Sequence, residues 1–274
     1  QFEMLKALEL SADAHQKIVS YCKSVGIAFM STGFDLETID FLCSFKMPFL
    51  KIPSGEITHH QLLAHAASKN IPLILSTGMS SLEEVAEAIE VISTTRQKHG
   101  FAELLSERLT LLHCTSNYPA QFSDVHLNGM KTLCEVFHLP VGYSDHTQGT
   151  FVAPLAVAMG AKIIEKHFTL DNHLAGPDHF ASLEPHAFKE MVRLIRETEV
   201  ILGSEVKQPC EKELPIRDLV RRSVTLKCNK LKGSYLTEAD VALLRPGTGI
   251  APKYVKEIIG KQLKSDLAVG AVLQ

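Results

Sequence analysis

Two histidines stand where a sheet would expose them. His146 closes Val141-Gly-Tyr-Ser-Asp-His146 and His167 closes Ala161-Lys-Ile-Ile-Glu-Lys-His167, and each ends a short apolar run about one strand-helix unit from the other. Adjacent strands of a parallel sheet deliver their last residues to the same edge, which is where (β/α) enzymes keep their chemistry. A metal site on the rim of a barrel is the expectation. Two imidazoles without nearby thiolates leave coordination positions open for water and substrate oxygens, which suits Mn²⁺, Mg²⁺ or Zn²⁺ as a Lewis acid and disfavours a closed structural zinc site. His113 should alternate to the opposite face of its strand and have a structural role, Cys114 should pack, and His59, His60 and His173 read as surface loop residues.

Other strand ends are polar as well: Ser31-Thr32, Lys51 with Ser54-Gly-Glu56, Ser76-Thr77-Gly78, Thr115-Ser116, Ser144-Asp145-His146 and Glu165-Lys-His167. Any one of these hydroxyls reads most simply as a helix N-cap or turn residue. Together, hydroxyls, a lysine and exposed backbone N–H groups on one rim make an anion site that a phosphate or carboxylate would satisfy.

The elements that must position these groups alternate between β-rich runs and longer amphipathic segments, the pattern of a parallel sheet with crossover helices. Six strands are expected, over 26–32, 48–54, 72–77, 109–115, 141–145 and 162–167. Ser81-Leu-Glu-Glu84 has the form of a capping box, opening a helix whose apolar face is Val85, Ile89, Val91 and Ile92. The clearest helix runs from Glu184 to Leu202, with Phe188, Met191, Val192, Ile195 and Ile201 at helical spacing and Gly203 placed to end it. A closed (β/α)₈ barrel needs eight strands, so two N-terminal βα units are expected to be absent from this chain; an open doubly wound sheet is the alternative. After Gly203 the texture changes, giving a barrel domain over 1–208, a linker over 209–215 and a small C-terminal domain over 216–274 with a brief helix from Pro252 to Gly260.

The 274 residues are 45% hydrophobic and 22% charged, enough for one large core and a small second one. A net charge of −3 without any Lys/Arg-rich block gives no footprint for nucleic acid or an anionic membrane. Six cysteines stand singly, no apolar stretch is long enough to span a bilayer, and the N-terminus has no signal-peptide pattern, so a cytoplasmic chain with reduced thiols and small-molecule partners is expected.

Lys51-Ile-Pro-Ser-Gly-Glu56, Leu75-Ser-Thr-Gly-Met79, Leu112-His-Cys-Thr-Ser-Asn-Tyr-Pro119, Gly142-Tyr-Ser-Asp-His146 and Glu165-Lys-His-Phe-Thr169, followed by Gly176-Pro-Asp178, carry a resemblance in that order. The chain resembles the sialic acid synthase family, which includes the N-acetylneuraminate, legionaminic and pseudaminic acid synthases. Arg221-Arg-Ser-Val224, Lys232-Gly-Ser-Tyr-Leu-Thr-Glu-Ala-Asp240 and Leu244-Arg-Pro-Gly-Thr-Gly249 are similar to the antifreeze-like (SAF) domain appended to these enzymes.

That resemblance implies a (β/α)₈ TIM barrel, lacking its first two βα units here, with a C-terminal SAF domain. The implied reaction condenses phosphoenolpyruvate with an N-acetylated mannose-type sugar, releasing phosphate and forming a nine-carbon 2-keto acid. By the same resemblance His146 and His167 hold a divalent ion, usually Mn²⁺, with Mg²⁺ or Co²⁺ possible. Lys51, Ser54, Ser116 and Ser144 match the family's phosphate positions, with Thr32 and Ser76 near the carboxylate. Glu56, Tyr118 and Asp178 match positions associated with the sugar, where carboxylates accept hydroxyl hydrogen bonds or move protons; Glu56 and Lys51 are the implied catalytic pair. Arg245 corresponds to the SAF arginine that reaches the sugar in a partner subunit's site, which implies a domain-exchanged homodimer.

Ser116 stands where some bacterial members carry asparagine, and the family's Glu-Ile-Gly-x-Asn-His segment has no counterpart. Poor ligand binding or slow turnover by this chain alone is expected from that. Two other readings are a different phosphoenolpyruvate-dependent synthase of the 3-deoxy-heptulosonate phosphate type, and a truncated paralogue serving as a binding or dimerisation module.

Overall fold

The strands of the larger unit lie in the sheet in the order in which the chain makes them. In the computed structural model, which describes residues 2–274, the chain divides into two compact units, Gln1–Gly203 and Ser204–Gln274. The first holds β1 (Leu50–Ile52), β2 (Leu73–Ser76), β3 (Leu109–Cys114), β4 (Val141–Asp145) and β5 (Ile164–Lys166), all parallel, in the order β1-β2-β3-β4-β5. A doubly wound sheet reverses its strand order at a switch point. This sheet does not reverse; it curls as part of a (β/α) barrel, and the open-sheet alternative falls.

The sixth expected strand is corrected. Residues 26–32 make one parallel bridge, Thr32 to Lys51, and no ladder. The run follows directly on the left-handed Gly26 that caps the helix Ala12–Val25, and Ile27 is 63% exposed, so the sequence is β-like without the two-sided burial that holds a parallel strand.

β2 and β4 are buried throughout, as a sheet covered on both faces requires. Leu50, Ile52, Leu75, Leu111 and Tyr143 meet Leu62, Leu63, Ile92 and Met130 from the covering helices in one core. The helix Leu82–Lys98 opens on the expected capping box: Ser81 Oγ accepts the Glu84 N–H at 3.4 Å and Glu84 Oε2 accepts the Ser81 N–H at 2.8 Å. Its buried stripe is Val85, Ala88 and Ile92, with Ile89 and Val91 packed at the edge. The helix Pro185–Leu202 ends at Gly203 with φ +57°. It buries Met191 and packs Phe188 and Ile195, but Ile201 is 82% exposed, a correction to the expected apolar face.

Two adjacent features fix the site's shape. Gly142 lets β4 approach β5, because a Cβ there would lie 2.5 Å from the Ile163 carbonyl oxygen and 2.6 Å from Leu112 Cδ2. Across β4 and β5, Asp145 pairs in register with Lys166, and both side chains are essentially inaccessible.

The second unit holds the antiparallel pair β6 (Ser223–Leu226) and β7 (Val241–Leu244) around a small core of Val224, Leu226, Leu236, Val241, Leu263 and Leu273. A helix over Glu213–Val220 begins within the segment expected as linker. The expected helix at Pro252 is a 3₁₀ turn, Pro252–Tyr254, followed by the short helix Val255–Ile258. Among the described residues no helix is long and apolar enough to cross a membrane.

Candidate active site

The C-terminal ends of the strands open into a cleft of about 380 Å³. Thr32, Lys51, Ser54, Ser76, Tyr118, Ser144, His146 and His167 line it, so eight residues picked from separate stretches of sequence are brought together. Ser116 stands just behind, its Oγ 3.4 Å from Ser54 Oγ. Strand alternation explains the selection: Lys51, Ser76, Cys114, Ser144 and Glu165 take one face, while their neighbours Ile52, Leu75 and Tyr143 belong to the core shared with the helices.

A polar chain crosses the floor of the cleft. Lys51 Nζ lies 3.5 Å from Glu165 Oε2, with only 11% of the lysine side chain exposed. Ser144 Oγ donates to Glu165 Oε1 at 2.6 Å and sits 3.2 Å from His146 Nε2. His146 Nδ1 is 2.7 Å from the Thr115 carbonyl oxygen, which can only accept, so Nδ1 carries the proton. Burial favours the neutral ring and pushes the His146 pKa down; nearby His167 acts in the same sense, while the Thr115 hydrogen bond opposes them. Because the single Ser144 proton is used at Glu165, the bare Nε2 lone pair of His146 is left for a cation or a proton.

The rings of His146 and His167 are 5.5 Å apart between centroids, and Tyr118 lies over both, 4.2 Å from His146 and 5.5 Å from His167. The Tyr118 phenol pKa is raised by burial first, and then by the charges of Cys114, Asp178 and Glu165. Among the described residues no group of three or more His, Cys, Asp and Glu side chains is arranged to hold a metal ion. A cation here would therefore have two protein ligands and take the rest from water or a bound molecule. The proton on His146 Nδ1, fixed by a carbonyl, fits such a role.

The side of the cleft expected to take an anion is built by close approach. Gly78, at φ +43°, puts its backbone where a Cβ would be 2.4 Å from Ser54 Cβ and 2.7 Å from Ser116 Oγ. Only glycine allows that turn to close on the two serines. The Ser76 hydroxyl is buried and, beyond the neighbouring Cys114 thiol, has no hydrogen-bond partner. An orphaned hydroxyl beside a cleft is free to donate to a bound molecule.

Besides Ser116, two expected residues of this unit, Glu56 and Asp178, do not line the cleft. Glu56 lies in the turn Ser54–Glu56, and its Oε2 is 2.8 Å from His59 Nδ1. Asp178 holds a left-handed turn at φ +66°, and its carbonyl accepts the Ser182 hydroxyl at 2.8 Å. Arg245 is exposed on the second unit. Cys114, expected only to pack, lines the cleft, and its Sγ accepts the Gly78 N–H at 3.2 Å. His113 has the structural place expected of it, with Nε2 donating to the Val125 carbonyl at 2.8 Å. Glu165 is the residue that sequence reasoning undervalued: it counted as one more polar strand end, and its pairing with Lys51 across three intervening strands is a property of the curl.

A sequentially ordered parallel sheet with a lysine, a ring of hydroxyls and two imidazoles at its C-terminal rim has the site plan of the (β/α)-barrel enzymes. Residues 1–207 match the profile of the NeuB family and residues 231–274 that of the SAF domain; the chain belongs to the NeuB family. It is 54% identical over 273 residues to the N,N'-diacetyllegionaminic acid synthase of Legionella pneumophila, covering 100% of this chain and 75% of that one. Human N-acetylneuraminate-9-phosphate synthase is 33% identical over 264 residues, covering 95% of this chain and 70% of that one. The crystal structure of the N-acetylneuraminic acid synthetase of Leptospira borgpetersenii serovar Hardjo-bovis in complex with citrate superposes with a TM-score of 0.71 at 31% identity, over 78% of this chain and 72% of that one.

Proposed function

We propose that this chain condenses phosphoenolpyruvate with an N-acetylated sugar aldehyde to form a nine-carbon 2-keto acid and inorganic phosphate. The observation that carries the reading is the convergence of Lys51, Ser54, Ser116 and the unpartnered Ser76 hydroxyl beside two imidazoles in one cleft. Lysine and hydroxyl donors suit the phosphate and carboxylate of the enol ester, and Thr32 extends that set.

In the reaction, C3 of phosphoenolpyruvate forms a bond to the aldehyde carbon, whose oxygen becomes a hydroxyl by taking a proton. Water adds at C2, and the resulting intermediate expels phosphate with cleavage of its C–O bond. A divalent cation held by His146 and His167, by family habit Mn²⁺, supplies polarisation of the aldehyde oxygen when bound. Lys51 holds the phosphate and is fixed in place by Glu165, whose second oxygen is held by Ser144. Tyr118, over both rings, bounds the acceptor's position; Glu56 and Asp178, which do not line the cleft, are assigned to its hydroxyls by family resemblance alone. Arg245 serves the acceptor from the SAF domain of a partner subunit in a domain-exchanged homodimer.

The 54% identity to the Legionella synthase supports a 6-deoxy 2,4-diacetamido sugar over N-acetylmannosamine as acceptor. The test is phosphate release from phosphoenolpyruvate with each sugar, with Mn²⁺ or excess EDTA, using this chain and one extended upstream. Metal-dependent release with the diacetamido sugar is expected. Faster release with N-acetylmannosamine would reassign the acceptor, and no release with either form or sugar would end the synthase reading.

A further inference from the structure

Behind the two imidazoles lies a buried ion pair. Ser144 and Glu165 face the cleft, Lys166 borders it too, and Asp145 pairs in register with Lys166 without lining it. Lys166 also borders Phe188 and Met191 of the helix Pro185–Leu202. Lys166 Nζ is 2.9 Å from Asp145 Oδ2 and also donates to the Thr147 carbonyl. Asp145 Oδ1 accepts the Thr147 N–H at 2.9 Å and its hydroxyl at 2.7 Å. Exposure of the two charged side chains is 1% and 0%.

This arrangement brackets His146 between Asp145 and Thr147, which are tied to each other, and ties both to the residue immediately before His167. Burying two charges has a desolvation cost that an apolar pair of similar volume would avoid, so stability alone is a poor reason for an ion pair here. What an apolar pair lacks is direction: hydrogen bonds at fixed angles set where the peptides on either side of His146 and before His167 must lie.

We infer that Asp145 and Lys166 are positioning residues, a clamp across the ends of β4 and β5 that holds the His146 and His167 rings at a fixed separation with Nε2 of His146 toward the cleft. The clamp's geometry stands by itself; its use in the reaction rests on the function proposed above.

Histidine-labelled protein tests this through nitrogen NMR, which reads the tautomer of each ring. In the parent chain His146 should show a single Nδ1–H form, and His113, bonded to the Val125 carbonyl through Nε2, the opposite one. Replacing the clamp by Asp145→Leu with Lys166→Met should give His146 mixed tautomers or broadened signals while His113 keeps its pattern and so reports an intact β3. An unchanged His146 beside an unchanged His113 would overturn the inference. Should that variant lose the His113 pattern as well, Asp145→Asn, which keeps the volume and removes the charge, is read by the same two outcomes. Added Mn²⁺ gives the second reading: broadening of His146 and His167 should need about tenfold more Mn²⁺ in the variant, the lower end of what outer-shell partners contribute. Absence of broadening in the parent chain would sink the two-histidine cation site, while the tautomer measurement would still decide the clamp.

Discussion

The Ser144 hydroxyl donates to Glu165 Oε1 at 2.6 Å, across the β4–β5 step, while the other oxygen of that carboxylate faces Lys51 Nζ at 3.5 Å. One serine therefore orients the group that orients the lysine. Ser144→Ala should leave the fold intact and lower kcat/KM for phosphate release by on the order of 100-fold, the scale of losing one preorganised donor at a charged centre. Steady-state phosphate release checks it; a loss below threefold would mean that Glu165 holds its place without the serine.

Ser76 makes an opposite prediction for stability and binding. Its hydroxyl is buried with no partner beyond the Cys114 thiol, so Ser76→Ala removes an unsatisfied polar group and should leave thermal stability unchanged or raise it by up to about 1 kcal/mol. The same change should weaken phosphoenolpyruvate binding roughly tenfold, the worth of one hydrogen bond to a charged ligand. Thermal melts and calorimetric titration measure the two together.

Gly78→Ala should damage the proposed anion site directly. The new Cβ would stand 2.4 Å from Ser54 Cβ on a backbone at φ +43°, so the turn must retreat from both serines. A destabilisation of about 1–3 kcal/mol is expected from the strained backbone, with a raised KM for phosphoenolpyruvate. Denaturant unfolding and kinetics on one preparation suffice.

Metal removal should abolish turnover reversibly. EDTA is expected to stop phosphate release and Mn²⁺ to restore it, and His146→Ala or His167→Ala should each weaken Mn²⁺ binding by more than the roughly 10–100-fold an outer-shell partner costs. Titration followed by electron paramagnetic resonance reads this without turnover.

In the C-terminal unit, hydrogen bonds from Lys230 and then Thr237 hold the Asp240 carboxyl well below the usual carboxylate range. A carboxyl lowered on folding contributes stability that is complete above its unfolded pKa, about 3.9, and is lost as pH falls through the folded value. Acidification below about pH 4 should therefore weaken this unit, and Asp240→Asn should weaken it near neutrality while flattening the acid dependence. Amide exchange at Val224 and Leu226, in the unit's core, as pH is lowered tests the sign.

The cleft was legible because parallel strands end their apolar runs abruptly, and Lys51, Ser54, Ser76, Ser144, His146 and His167 each follow such a run. Capping chemistry likewise marked the helix that starts after Ser81. What sequence could not supply was relative direction. Glu165 reads as one polar residue among several until the curl of five strands brings it to Lys51, and Glu56, one turn from Ser54, pairs with His59 instead of facing the cleft. The stretch 26–32 misled because β-branched and aromatic residues report suitability for a sheet, whereas a strand also needs a ladder, and here Thr32 alone supplies a bridge. Ile201 fits the helical period yet lies in the last turn, beyond the layer that covers Met191.

Because each strand of the sheet pairs with its neighbours in chain order, the cleft is also ordered in time. During synthesis the N-terminal part emerges first. Lys51, Ser54 and Ser76 arrive early, and Glu165 and His167, on and just after β5, arrive late. Until β5 docks beside β4, Lys51 lacks the Glu165 carboxylate and His146 lacks His167, so the cleft gains its full set of charged and imidazole groups only with the β4–β5 pair.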